Sequence, residues 1–151
     1  MPEKNIFFVS QKTGFVLRRK TELRKWLNAV AASEKCSIGE LTYIFTTDKA
    51  VLDINKQYLQ HDYYTDVITF DYSVTEKRKR IVSGDIFISI DRVADNATIQ
   101  EETFKRELGR VMVHGLLHLC GYRDKTKKEE AAMRKLEDFY LTLPEHKKRN
   151  S

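Results

Sequence analysis

The stretch His114-Gly115-Leu116-Leu117-His118-Leu119-Cys120-Gly121-Tyr122-Arg123-Asp124 constrains this chain more than any other. With Val111 and Val113 just upstream, it makes a helix apolar around most of its circumference, so the helix belongs at the centre of a fold. Residues four apart on a helix differ by about 40° in direction and one turn in height. His114 and His118 therefore project side by side. Gly121 stands where the helix should end, since Gly is favoured at that position. Asp124, three residues on, is placed to turn back toward the pair. Two imidazoles buried in apolar surroundings without partners are costly, and one shared ion answers that cost. Three protein donors leave a fourth position for water, the layout of a catalytic rather than a structural zinc site. His114, His118 and Asp124 are thus the candidate ligands of a single Zn2+ or similar divalent ion. Cys120 points about 200° away from His118 on the helix and is read as packing. Arg110, one turn before His114, is a candidate catalytic residue that reaches a phosphate near the ion, or else an ion-pair partner of Glu107 or another acid.

The rest of the pattern says what surrounds that helix. Ile6–Val9, Leu41–Thr46, Val67–Phe70 and Ile86–Ile90 read as strands. Helical patterns cover about 21–33, capped by Thr21, then a segment opened by Asp48, then about 91–99, 103–120 and 126–141. The expected fold is α+β, or an α/β-like sandwich: a mixed sheet of about four strands packed with about five helices. The metal site falls at the end of a central helix. Residues 1–143 read as one metallohydrolase domain and 144–151 as a basic tail.

The 151 residues suit one domain of this size, and 41% hydrophobic residues exclude a disordered chain. Cys36 and Cys120 are too few for a disulfide scaffold and fit a reducing cytosol. No apolar run approaches the length of a membrane helix, and the first residues lack a secretory signal. A cytoplasmic location without membrane association is expected. The net charge of +5 is clustered at Arg18-Arg19-Lys20, Lys77-Arg78-Lys79-Arg80 and Lys147-Lys148-Arg149, which attracts polyanions. The last run reads as a frayed tail. The run at 77–80 joins two expected strands and is a candidate border of the site. His61 and His146 read as plain surface residues.

From His114 to Tyr122 the chain resembles the YbeY family, whose signature is His-Gly-x-x-His-Leu-x-Gly-Tyr. Two further segments carry the resemblance: Ile54-Asn55, Tyr58, Asp62 and Thr65-Asp66-Val67-Ile68-Thr69-Phe70, then Gly84-Asp85-Ile86. The three lie in the family's order. The resemblance implies a single-strand-specific, zinc-dependent endoribonuclease that acts in ribosomal RNA maturation. It also implies a cleft with the metal on its floor and basic residues at its rim. Single-stranded RNA or rRNA is the implied partner, with the ribosomal subunit or its assembly proteins beside it. Asp124 occupies the column of the family's third His ligand, Leu59 replaces a family Arg expected to touch phosphate, and Tyr64 replaces a Pro. Asp66 and Asp85 are candidates for orienting the site or accepting a proton, with Asp85 inclined to a structural role.

Two other readings stand beside this one. The donor spacing alone is that of metzincin-type proteases with Asp for the third His. Their general base follows the first His as Glu, however, and here that position is Gly115. The other is a non-catalytic ribosome-assembly factor with a structural metal and an rRNA-binding basic surface.

Overall fold

The computed structural model describes residues 5–143. The expected basic tail, with His146 and the run at 147–149, lies outside the described residues. Along the chain come β1 (Ile6–Ser10), α1 (Lys20–Ser33), β2 (Cys36–Thr46), α2 (Asp48–Leu59) and β3 (Val67–Asp71). There follow β4 (Val74–Glu76), β5 (Lys79–Ser89), α3 (Ile90–Ile99), α4 (Phe104–Leu119) and α5 (Lys127–Tyr140). The sheet is mixed. Strand order is β1-β2-β5-β3, with β4 also on β5; β1, β2 and β5 run parallel, and β3 and β4 run antiparallel to β5. This is the expected α+β class, with one strand more than expected. No helix among the described residues is long and apolar enough to cross a membrane.

The strands alternate as the period of two requires. Leu41, Tyr43 and Phe45 of β2 and Ile86 and Ile88 of β5 are wholly buried. They face α1 and α4, which contribute Trp26, Leu27, Met112, Leu116 and Leu117, also wholly buried. Each such side chain is worth about 1.5–3 kcal/mol when taken from water, so this contact anchors α4 firmly to the sheet. One polar bond ties α4 to β2, Tyr43 Oη donating to Met112 O at 2.8 Å, and another ties α1 to the end of α5, Trp26 Nε1 donating to Tyr140 O at 2.9 Å. Gly115 sits where α4 crosses β5. A Cβ there would lie 2.9 Å from both Cδ1 and Cγ2 of Ile86, so only hydrogen fits.

Several local expectations change. The basic run is not a loop between strands but the tip and start of a hairpin, β4 to β5. Lys77 and Arg78 form its two-residue turn, with φ of 49° and 67°, values typical of a type I′ turn. β2 begins at Cys36, five residues before the expected start. α1 opens after Arg19 in a left-handed conformation rather than on a Thr21 cap. Thr47, not Asp48, caps α2, its side chain accepting from Ala50 N at 3.1 Å.

Candidate metal centre

α4 ends in a Schellman motif. Tyr122 N donates to Leu117 O and Gly121 N to His118 O, with Gly121 at φ 115°, the left-handed conformation that favours Gly. The chain turns sharply there and carries Asp124 back over the last turn of α4. Thr126 and Glu129 then form a capping box that starts α5. The returning helix brings its buried stripe, Met133, Glu137 and Tyr140, against the core.

Three donor side chains converge. His114 Nε2 and His118 Nε2 lie 3.1 Å apart. Each is 3.3 Å from one oxygen of the Asp124 carboxylate. A four-coordinate ion held at about 2.0–2.1 Å from its donors sets neighbouring donors about 3.3–3.4 Å apart, so the spacing fits one ion. The protons point to the same answer. His118 Nδ1 is 3.1 Å from Tyr122 O, a carbonyl that only accepts, so Nδ1 carries the hydrogen. His114 Nδ1 is 2.5 Å from Glu137 Oε2 and donates to that carboxylate. In the neutral rings both Nε2 atoms therefore present lone pairs, aimed at each other and at a carboxylate. Three acceptors facing one point could hold a cation between them.

Glu137 escaped the sequence reading. It is 4% exposed and lies between His114 and Arg110, whose Nη1 is 3.2 Å from Glu137 Oε1. Arg110 is buried and also holds Asp138 at 2.7 Å, while its Nε lies 3.8 Å from Glu107 Oε1. Of the two readings of Arg110, the pairing with acids is the one the geometry displays. The sequence offered only a partial signal for Glu137, a carboxylate at helical spacing from Met133 and Tyr140; its contact with His114 is tertiary.

The donors open on a cavity of about 570 Å³. Asp66, Thr69, Asn96 and Arg134 line it, as do Arg110, Glu107 and Glu137. Asp66 stands at the start of β3, with Asn96 Nδ2 donating to its carboxylate at 3.4 Å. Burial raises the Asp66 pKa, and nearby His114 pulls it the other way. Burial lowers that of His114, but the hydrogen bond and charge of Glu137, then Asp124 and Asp66, leave it raised. Burial likewise raises Glu107 against the opposing pull of Arg110.

Other candidates lie elsewhere. Asp85 is not a lining residue; it pairs in register with Phe70 and faces Tyr72 Oη at 3.4 Å. None of 77–80 lines the cavity either. Arg80 instead donates from Nε to Leu119 O, the end of α4, and pairs with Asp71 at 3.0 Å. Leu59 is the exposed last residue of α2. His61 is exposed and stacks on Tyr63. Cys120 is not among the converging donors.

A family model described as Endoribonuclease YbeY matches residues 8–143. Relatives bearing that name include a Cytophaga hutchinsonii protein, 54% identical over 143 residues that cover 95% of this chain and 98% of that one. Another, from Flavobacterium psychrophilum, is 48% identical over 129 residues, covering 85% and 89%. The solution structure of TM1509 from Thermotoga maritima shares the fold, with a TM-score of 0.58 at 24% identity, covering 90% of this chain and 89% of that one.

Proposed function

This chain belongs to the YbeY endoribonuclease family, and from that premise we propose that it is a zinc-dependent endoribonuclease cutting single-stranded RNA in ribosomal RNA maturation. One observation carries the reading: two imidazole lone pairs and a carboxylate aimed at a single point beside an open cavity. His114, His118 and Asp124 would hold the ion. When bound, a divalent ion supplies Lewis acidity toward a phosphoryl oxygen or a water.

The charge around the cavity supports a resident cation. Asp66, Glu107, Asp124, Glu130 and Glu137 line it against the guanidiniums of Arg110 and Arg134. Such a surface repels phosphate unless a cation offsets it. Asp66, half-buried at the mouth with a raised pKa, is our choice for the group that takes or returns a proton during cleavage. Thr65 and Thr69 offer hydroxyls along the same wall, and Arg134 offers a cation to the RNA backbone. We assign Arg110 a role through Glu137 rather than on phosphate, because carboxylates surround its guanidinium. Peptide hydrolysis by the usual metalloprotease route is disfavoured, since Ile86 leaves no space for a base at position 115.

The test is an RNA cleavage assay with elemental analysis on wild type, His114→Ala and Asp124→Ala. We expect about one zinc per chain in wild type, with metal and cleavage falling together in both variants while circular dichroism stays unchanged. Cleavage that persists in His114→Ala would overturn the assignment. Product ends identify the nucleophile: a 5′-hydroxyl beside a 2′,3′-cyclic phosphate marks attack by the RNA 2′-hydroxyl, and a 5′-phosphate beside a 3′-hydroxyl marks attack by water.

A further inference from the structure

Beyond the three donors, the buried carboxylate of Glu137 is the charged group among the described residues that meets a donor imidazole from behind. It is 4% exposed, donates nothing, and accepts from His114 Nδ1 at 2.5 Å. Its second oxygen is held by Arg110 Nη1 at 3.2 Å, and Arg110 in turn by Asp138 at 2.7 Å. A charge buried this deeply is kept only where partners satisfy it. Here the partners are aligned: Asp138, Arg110, Glu137, His114, then the site.

We infer that Glu137 is the positioning residue of this centre, fixing His114 in the tautomer that turns its Nε2 lone pair toward the ion. The physical need is specific to His114. A free imidazole in water favours the proton on Nε2, which would block this donor. A carboxylate at Nδ1 reverses the preference, holds the ring angle and makes Nε2 a stronger donor. His118 has only the Tyr122 carbonyl for the same purpose, and a neutral carbonyl does this more weakly than a charged carboxylate. Arg110 keeps the carboxylate aimed at His114 and is thereby tied to the centre without touching substrate.

The inference rests on the metal-centre reading, and zinc itself is the probe. Glu137→Gln keeps the shape and an acceptor but drops the charge; Glu137→Ala removes the acceptor. Zinc affinity is measured by competition with a chromophoric chelator on the full chain, with folding followed by circular dichroism. We expect a loss of about 10-fold for Gln and nearer 100-fold for Ala. Two-bond proton–nitrogen spectra of the metal-free protein at alkaline pH should show the His114 proton on Nδ1 in wild type and on Nε2 in Glu137→Ala. A purely structural glutamate would leave that proton in place. Affinities within twofold of wild type, or Nδ1–H retained in the Ala variant, would overturn the proposal. Should Glu137→Ala fail to fold, the Gln affinity decides. A wild-type chain that takes up no zinc overturns the centre itself, an outcome distinct from equal loading with and without Glu137.

Discussion

Replacing Gly115 with Ala tests whether the contact between α4 and β5 is as close as the geometry requires. In an exposed helix interior the change should stabilise by about 1 kcal/mol, because Ala is the better helix former. Here the new Cβ would stand 2.9 Å from two carbons of Ile86, where 3.4–4 Å is ordinary contact. Helix and strand must part by about half an ångström, or Ile86 must leave its rotamer. Ile86 is wholly buried and has no free volume to enter. Overpacking of this kind costs about 1–3 kcal/mol, so the sign reverses and the net loss is about 1 kcal/mol. For a chain of this length that lowers Tm by about 2–4 °C. Thermal unfolding of the metal-free protein reads it directly. In an Ile86→Val background, which removes the Cδ1 contact, the loss should shrink by at least about 0.5 kcal/mol. Zinc affinity should also fall, since His114 and His118 ride on the displaced segment. A variant more stable than wild type by the full helix-propensity gain would refute the close-packing argument.

Burial raises the Glu107 pKa in the folded protein, so its contribution is fully present below the unfolded value of 4.5 and is lost as pH rises through the folded one. Urea unfolding of Glu107→Gln should therefore show a stability advantage over wild type that grows from about pH 4 toward neutrality; an advantage independent of pH would contradict the sign. Leu59→Arg puts a cation on an exposed helix end where the family carries one. RNA affinity should rise, and the salt dependence should steepen by about 0.7 in log–log slope for one added phosphate contact. An unchanged slope would place residue 59 away from the bound strand.

The donor triad was legible because its signal is local. Two His at helical spacing, a helix-stopping Gly and an Asp three residues later all fall within eleven consecutive residues. The sheet was legible where β-branched and aromatic residues alternate, as in Leu41–Thr46 and Ile86–Ser89. It was not legible at Cys36–Glu40, where Gly39 and polar residues mask a strand whose existence depends on its β5 partner. The hairpin at 74–80 was hidden for a related reason. Its turn uses Lys77 and Arg78 in place of the Asn-Gly or Asp-Gly pairs that announce such turns, and the charges read as loop. Glu137 belongs to a third kind. α5 is rich in acids, and only the tertiary contact with His114, 23 residues away, separates this one from its neighbours.

The position of α5 after the three donors orders events during synthesis. Chains leave the ribosome N-terminus first, and domains assemble as their parts emerge. His114 and His118 are available on α4 before Asp124 has turned back, and Glu137 arrives after both. An ion captured early would meet a His114 imidazole whose tautomer nothing yet fixes. The complete cradle exists only when the last described helix has docked. If the centre binds an ion as proposed, ordered loading waits for α5, and a chain truncated ahead of α5 would carry the recognisable motif without Glu137 to hold His114.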